Sequence, residues 1–460
     1  RRFHRVSMVF SSHIFLFYFL PLALGLYYAL WRAPQRWRNV TLILTGYAFY
    51  GWAEPMFMPL MFFTTFVDWL VSLMIAHNEW RVWRVWSRPV PLLEHGGTRS
   101  QTQRSAITIS IILNLAVLGF FKYFNFGVES YNALAQSMGL ESWQWNTFFE
   151  VVLPLGISFY TFQTLSYTID VYKKKLEPAE DFIAFSAFVC FFPQLVAGPI
   201  ERASNFLPQF ESPRNLDYSK SVDGLRQILW GLFKKVVIAD TLSNSVDIIF
   251  SNYTDFNGGV LFLGALYFTI QIYCDFSGYS DIAIGLARLL GFKLKTNFKT
   301  PYFSRNIGEF WRKWHISLSS WLKDYIYIPL GGNKKGKVNT YLFLLITMTI
   351  GGIWHGANWK FIVWGIAHGL ALAIHKLFVS YLQKNKAATP SIWSTLWSGL
   401  VTFHLVALLW ILFRAESFQT AFSSMELIWS KTNFTDAVGF FVARKEFVYL
   451  FLFSAVVIFS

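Results

Sequence analysis

The sequence has few charged residues and almost no cysteine. Only 14% of its 460 residues are charged, against 54% that are hydrophobic and 20% that are aromatic. A soluble chain of this length would divide into two or three domains with charged surfaces, so the composition excludes that class. Both cysteines, Cys190 and Cys274, lie in apolar segments, which excludes a disulfide framework.

Several motifs of common enzyme classes are also missing. The chain has no H-E-x-x-H or paired-cysteine spacing, so we predict no metal site. It has no G-x-S-x-G elbow and no glycine-rich phosphate loop after a strand, which disfavours a serine hydrolase or a nucleotide-binding enzyme. No internal repeat is present, although a transporter with two symmetric halves would need one.

The apolar residues are instead grouped in stretches long enough to cross a membrane. About 20 residues span the roughly 30 Å hydrocarbon layer. We therefore predict an all-α, multi-pass membrane protein with about eleven or twelve membrane-embedded helices, some of them re-entrant because prolines flank Gly198. The predicted segments lie near 14–31, 39–53, 57–76, 106–121, 151–170, 182–200, 222–239, 258–290, 340–354, 359–378, 396–413 and 446–460.

The two ends of the sequence bear on its domain organisation. Met8 is the expected initiator methionine, and the last residues of the sequence lie inside an apolar run. We expect one membrane-embedded domain over residues 8–460, with residues 1–7 as upstream sequence and a native chain that continues past Ser460.

Lysine and arginine are unevenly distributed among the predicted loops. They are frequent in the loops 32–38, 79–105 and 331–338, whereas 122–150 has one lysine and three glutamates. Cytoplasmic loops carry the excess of basic residues, so we place the first three in the cytosol and the last in the periplasm. The net charge of +14 then reflects topology and contact with anionic lipid, not nucleic-acid binding.

The stretch 305–336 reads RNIGEFWRKWHISLSSWLKDYIYIPLGGNKKG. Asn306 followed by Glu309 predicts a capped helix start. Helical spacing then predicts one apolar stripe on an amphipathic helix near the membrane plane, followed by a basic cytosolic turn. The stripe contains Trp311, His315, Leu318 and Leu322.

Two of the nine histidines stand out from the rest. His315 and His355 lie at apolar–polar boundaries beside tryptophan, and ionisable groups in a membrane usually mark a site. Packing explains His368 and His375 about as well as function does. We expect His355 to act as a general base on a hydroxyl, with Gly351 and Gly352 leaving space for the reacting group and Gly356 leaving room beside the ring.

Two carboxylates lie within the apolar segment IYCDFSGYSDIAIGLARLLGF. Asp275 and Asp281 need partners there. One interpretation is that they orient a histidine or bind a broken helix end. The other, which we favour about two to one, is a salt bridge to Arg288 or to a neighbouring span.

Six motifs resemble those of the membrane-bound O-acyltransferase family, in its bacterial alginate O-acetylase branch. The similarity extends from Met8 to about Arg414. The motifs occur in the following order: MVFSSHIFLFYFLPL, PLGISFYTFQTLSYTIDVY, FFPQLVAGPIER, YCDFSGYSDIAIGLARLLGF, EFWRKWHISLSSWLKDYIYIPLGGNKKG and GGIWHGANWKFIVWGIAHG.

The resemblance implies a ring of tilted helices around an acyl-transfer tunnel, with His355 and His315 catalytic. Around them we expect supporting or tunnel-lining side chains, namely Trp354, Asp275, Asp281, Trp314 and Asn358. In this branch acetyl passes from cytosolic acetyl-CoA to a periplasmic partner that acetylates an exopolysaccharide, without a tightly bound cofactor. The basic turn with Lys334, Lys335 and Lys337 is a candidate for the coenzyme A phosphates.

Alternatives remain open for the acceptor and the donor. Related branches acetylate cellulose or peptidoglycan, or transfer D-alanine from a carrier protein to teichoic acid. Outside the enzymes, a scaffold subunit of a polysaccharide synthase would tolerate loss of both histidines. We expect residence in the bacterial inner membrane in each case.

Overall fold

A computed structural model describes residues 8–85, 88–91, 98–147, 149–384, 391–444 and 447–459. Residues 1–7, interpreted above as upstream sequence, lie outside the described residues. Within the described ranges every regular element is helical, and no strand occurs. This confirms the prediction of an all-α protein.

The described residues of the first half of the chain form ten helices, with a π-helical turn at Phe15–Phe19 and 3₁₀ turns at Pro55–Phe57 and Glu141–Trp143. The helices are α1 (Leu20–Ala29), α2 (Gln35–Ala53), α3 (Met58–His77), α4 (Val82–Val85), α5 (Gln101–Ser137), α6 (Ile157–Tyr172), α7 (Phe182–Val189), α8 (Phe192–Leu195), α9 (Ala203–Phe206) and α10 (Pro208–Glu211).

Twelve further helices follow in the ranges that the structure describes, with π-helical turns at Phe233–Ala239 and Lys323–Tyr327 and 3₁₀ turns at Tyr253–Asp255 and Pro301–Phe303. They are α11 (Tyr218–Leu232), α12 (Asp240–Ser251), α13 (Gly258–Leu289), α14 (Ile307–Lys313), α15 (Ile316–Leu322), α16 (Ile328–Leu330), α17 (Lys337–His355), α18 (Trp359–Lys384), α19 (Ile392–Arg414), α20 (Phe418–Ser430), α21 (Phe434–Ala443) and α22 (Phe447–Phe459).

Six helices of the described chain are long and apolar enough to cross a membrane, so the protein is a multi-pass membrane protein. The other predicted segments are divided among shorter helices. The segment 182–200 is broken as expected, because α7 ends at Val189 and a new short helix starts at Phe192, with Pro193 in its first turn. The six spanning candidates are Pro55–His77, Gln101–Ser137, Gly258–Leu289, Lys337–His355, Trp359–Tyr381 and Ile392–Arg414.

One predicted boundary is wrong by more than four helical turns. We expected a span near 106–121 followed by a loop over 122–150, but α5 continues to Ser137. A capping box starts this helix, since Ser100 Oγ accepts from the Gln103 backbone N–H at 3.1 Å and Gln103 Oε1 accepts from the Ser100 N–H at 3.2 Å. The residues after Lys122 mix polar and aromatic side chains, which hides the helical period.

The chain divides into two compact units. The first runs to Ile228 and includes Ile282–Lys295, and the second contains Leu229–Asp281 and the chain from Thr296 onward. The prediction of a single membrane-embedded domain stays a prediction.

The second unit has a core rich in aromatic rings. Trp364 and Trp410 are each 1% exposed and stack with ring centroids 5.8 Å apart. Trp311 and Trp314 come from α14 and its end, and both are buried against the same core. Wide, rigid rings fill this interior, so side chains that contact them are held in defined places.

Candidate active site

His355 is the last residue of α17 and lies at the tip of a helical hairpin. Three residues, 356–358, separate it from α18. Its ring is half-buried and contacts three aromatic rings edge to face, with centroid distances of 5.0 Å to Trp354, 5.1 Å to Trp364 and 5.3 Å to Phe413. The hairpin therefore presents an imidazole at a helix end, within an aromatic surrounding.

The glycines of this motif have a different purpose from the one we expected. A Cβ on Gly352 would lie 2.2 Å from the Phe361 carbonyl oxygen and 3.0 Å from Gly365 Cα, so the glycine allows α17 and α18 to touch backbone to backbone. A Cβ on Gly356 would lie 2.3 Å from the Phe361 ring, and one on Gly351 3.1 Å from Leu322. These positions serve helix packing, and the expectation that they leave space for the reacting group is wrong.

His315 lies at the junction between α14 and α15. Its backbone is left-handed, with φ 43° and ψ 55°, so the predicted continuous amphipathic helix is broken there. The start of that helix is as predicted, because Asn306 Oδ1 accepts from the Glu309 N–H at 2.8 Å. Glu309 reaches back to the Arg305 N–H, 3.0 Å away, instead of to that of Asn306. A residue other than glycine at positive φ persists only where its surroundings hold it.

Both candidate histidines contact the same tryptophan. The His315 ring is 6.0 Å from Trp354, and that ring in turn is 5.0 Å from His355. His315 is only 1% exposed, and Phe276 covers it at 4.6 Å. Burial, followed by the charge of His355, holds the pKa of the His315 imidazole well below its usual value, so this ring is neutral at physiological pH.

A third histidine belongs to this cluster, although from the sequence packing explained it about as well as function did. His368 is fully buried on α18, and its Nδ1 accepts from Trp311 Nε1–H at 3.3 Å. Its ring is 4.6 Å from Trp364, which also contacts His355. His375, one heptad later on the same helix, is half-buried and close to Gly308. Spacing alone could not separate the two.

The two carboxylates of α13 form ion pairs with lysines of the π-helical turn Phe233–Ala239. Asp281 pairs with Lys234, whose side chain is 3% exposed. Asp275 pairs with Lys235 at 2.6 Å, and Lys235 also binds Asp240 at 2.8 Å. These ion pairs support the interpretation of Asp275 and Asp281 as structural carboxylates, with two lysines of a neighbouring segment as their partners.

The remaining predicted supporting residues lie close to the histidines in sequence but have packing or capping contacts. Trp314 is 2% exposed and packs on Phe298 and Trp410, each 5.0 Å away. Asn358 caps α18, since its Oδ1 accepts from the Lys360 N–H at 3.0 Å. A role for either in lining a tunnel stays a prediction.

The basic turn between α16 and α17 is exposed, as predicted. Three glycines with positive φ shape it, namely Gly331, Gly332 and Gly336. Lys334, Lys335 and Lys337 all face solvent, and Lys376 Nζ donates to Asn333 Oδ1 at 2.6 Å within the same turn. The turn therefore places several exposed ammonium groups close together in the chain, each able to donate hydrogen bonds.

The geometry suits proton transfer in surroundings that exclude most water. A half-buried imidazole and a buried neutral one contact a single indole, and aromatic side chains pack against both. In the part of the chain that is described, no three His, Cys, Asp or Glu side chains are grouped so that they could hold a metal ion. Histidines of this kind act as general bases or orient a reacting hydroxyl.

Comparison with known proteins gives consistent matches along the chain. Residues 179–415 match the model of the membrane-bound O-acyltransferase family. A "Probable alginate O-acetylase" of Pseudomonas syringae is 44% identical over 415 residues, which are 90% of this chain and 74% of the relative. The "Peptidoglycan O-acetyltransferase" of Helicobacter pylori is 34% identical over 90% of this chain and 78% of its own length. The "Teichoic acid D-alanyltransferase" of Bacillus subtilis is 26% identical over 57% of this chain and 69% of its own length.

Proposed function

The chain belongs to the membrane-bound O-acyltransferase family, and we propose that its acyl group is acetyl, taken from cytosolic acetyl-CoA. It passes the acetyl group across the bacterial inner membrane towards a periplasmic partner for O-acetylation of an exopolysaccharide such as alginate. The observation that carries this proposal is the pair of imidazoles, His355 and His315, that both contact Trp354.

In the proposed reaction His355 is the general base. Its neutral imidazole accepts the proton of the acceptor hydroxyl as the oxygen attacks the thioester carbonyl. A new C–O bond forms, the C–S bond breaks, and the imidazolium returns the proton to the departing coenzyme A thiolate. A base in this position contributes about 10²- to 10⁴-fold to the rate. His315 completes the site through its contact with the same Trp354.

Two properties support acetyl-CoA as the donor and a polysaccharide as the final acceptor. The lysine turn offers three exposed cations, and phosphate groups bind well to such donors. The relatives that match nine-tenths of the chain are named for O-acetylation, whereas the D-alanyltransferase matches little more than half of it. The 34% identity with a peptidoglycan enzyme makes peptidoglycan the second candidate acceptor.

The proposal predicts that the protein uses acetyl-CoA only from the cytosolic face of the membrane. Inside-out inner-membrane vesicles containing the protein and its periplasmic partner should release coenzyme A thiol when acetyl-CoA is added. Right-side-out vesicles should not, because the donor cannot reach the cytosolic face. Vesicles from cells without the protein give the background. Release only from right-side-out vesicles, or use of a D-alanyl carrier protein in place of acetyl-CoA, would contradict the proposal.

A second prediction concerns donor affinity. Replacing Lys334, Lys335 and Lys337 together by glutamine should raise the KM for acetyl-CoA about tenfold with kcat little changed. Three exposed charge contacts are worth up to about 1 kcal/mol each. The difference should shrink as salt is added, because exposed charges are screened. Lys431→Gln, another exposed lysine, is the control. An unchanged KM at low salt would exclude the turn as the phosphate contact.

A further inference from the structure

Asn297 lies in the irregular segment between α13 and the 3₁₀ turn Pro301–Phe303, and it is 1% exposed. Its side chain contacts a residue of α13, a residue of α15 and the junction residue His315. The Oδ1 atom accepts from Ser317 N–H at 3.2 Å and from Ser317 Oγ at 2.7 Å, and it lies 3.3 Å from His315 Nδ1. The Nδ2 atom donates to Ser280 Oγ at 3.2 Å. Asn297 therefore connects α13 with the junction that carries His315.

These contacts determine which way the amide of Asn297 points. A backbone N–H can only donate, so the side-chain atom that faces Ser317 N–H must be the oxygen. The same oxygen faces His315 Nδ1. A neutral imidazole has one N–H, and its position follows from the hydrogen bond that the ring makes. Nδ1 therefore carries the proton of His315.

The other ring nitrogen then has a free lone pair. His315 Nε2 is buried and has no hydrogen-bond partner within the described residues. A buried polar atom without a partner costs about 1–3 kcal/mol, so its retention indicates a partner that arrives during function. As an unprotonated nitrogen, Nε2 can accept a hydrogen bond but cannot donate one.

We propose that Asn297 is a positioning residue that fixes His315 as its Nδ1–H tautomer and reserves Nε2 to accept a hydrogen bond from a donor group of the bound substrate other than the hydroxyl that His355 deprotonates. This inference rests on the function proposed above. It gives the two histidines different roles, since His315 holds the substrate through an accepted hydrogen bond while His355 removes the proton of the attacking hydroxyl. A neutral His315 with this tautomer cannot stabilise the negative charge that develops on the carbonyl oxygen.

The backbone of the junction supports the same arrangement. The Asn297 carbonyl accepts from Ile316 N–H at 2.9 Å, directly after the left-handed residue. Main-chain and side-chain bonds from one asparagine thus hold His315 in a conformation that is rare for a histidine. A substitution at Asn297 therefore changes both the tautomer and the position of the His315 ring.

The tautomer can be measured without an activity assay. In the purified protein with ¹⁵N-labelled histidine, protonated and unprotonated ring nitrogens have well-separated NMR shifts, and the His315 signals are those missing from His315→Gln. We expect a protonated Nδ1 and an unprotonated Nε2. A protonated Nε2 in the parent protein would overturn the inference whatever the fate of any variant, and it would leave the proposed reaction intact.

Three variants test the consequence for turnover. Asn297→Leu should lower kcat about 10- to 100-fold with KM nearly unchanged, as expected when a group that orients a catalytic side chain is lost. Asn297→Asp keeps an acceptor opposite Nδ1 and should recover much of that loss. Ser280→Ala removes only the contact to Nδ2 and is the matched control, with kcat within about twofold of the parent.

The aspartate variant also has a signature in its pH profile. A carboxylate beside Nδ1–H favours the charged imidazolium and raises the pKa of His315. The neutral ring is the competent form, so the acid limb of the profile should move to higher pH. Full turnover in Asn297→Leu, or loss in Asn297→Asp and Ser280→Ala equal to that in Asn297→Leu, would show that Asn297 serves only the fold.

Discussion

His355→Gln is expected to lower acetyl-CoA turnover by about 10²- to 10⁴-fold, because the variant has no base for the attacking hydroxyl. Glutamine is close in size to histidine and keeps the half-buried position beside Trp354 filled. The melting temperature in detergent and the amount of protein in the membrane should therefore stay near those of the parent. Turnover is measured as thiol release with the periplasmic partner present.

His404→Gln is the matched control for this experiment. His404 also lies half-buried on a helix of the second unit, where it stacks on Phe262 at 5.9 Å and contacts the Leu400 carbonyl at 2.8 Å. Its replacement should leave turnover unchanged. His315→Gln should lose activity by a similar or smaller factor than His355→Gln. Near-parental turnover in His355→Gln would show that the ring is a packing residue and would remove the centre of the proposed mechanism.

The largest effect on stability is expected at Asp281. Asp281→Asn leaves the buried ammonium of Lys234 without its counter-charge, and removing one partner of a buried pair costs about 3–5 kcal/mol. The melting temperature should fall strongly. The double variant Lys234→Met, Asp281→Leu removes both charges and should regain most of the loss, since apolar side chains of similar volume often replace such pairs without harm.

Asp275→Asn is the matched comparison on the same helix. The Asp275 side chain is 48% exposed, and Lys235 keeps Asp240 as a partner, so the cost should not exceed about 1 kcal/mol. The double variant also separates structure from chemistry. If it folds and turns over acetyl-CoA, Asp281 has only a structural role. If it folds with parental stability and is inactive, the Lys234–Asp281 pair takes part in the reaction.

The sequence predicts those parts of the site that depend on local patterns. The apolar runs, the cap at Asn306 and the end of a helix at His355 follow from spacing and residue type alone. The break at His315 does not, because the period of apolar residues continues through it while the backbone reverses. That conformation depends on Asn297, eighteen residues earlier in a polar segment where nothing distinguishes it from its neighbours.

The same limit applies to partners that are far apart in the chain. The sequence indicates that Asp281 needs a counter-charge, but Lys234 lies forty-seven residues away and only the fold brings it close. His368 and His375 lie seven residues apart and therefore on the same face of α18. Which of the two is fully buried depends on where α14 packs.

The hairpin of α17 and α18 also bears on how the protein is made. Its helices touch at Gly352 and Gly365, and a connection of three residues joins them, so closing this contact costs little chain entropy. Local contacts form early. During synthesis the pair can therefore leave the insertion machinery already joined, with His355 at its tip in place. His315, made earlier, reaches its final backbone only when Asn297 and Ser317 meet, and we expect the two halves of the proposed catalytic pair to mature at different times.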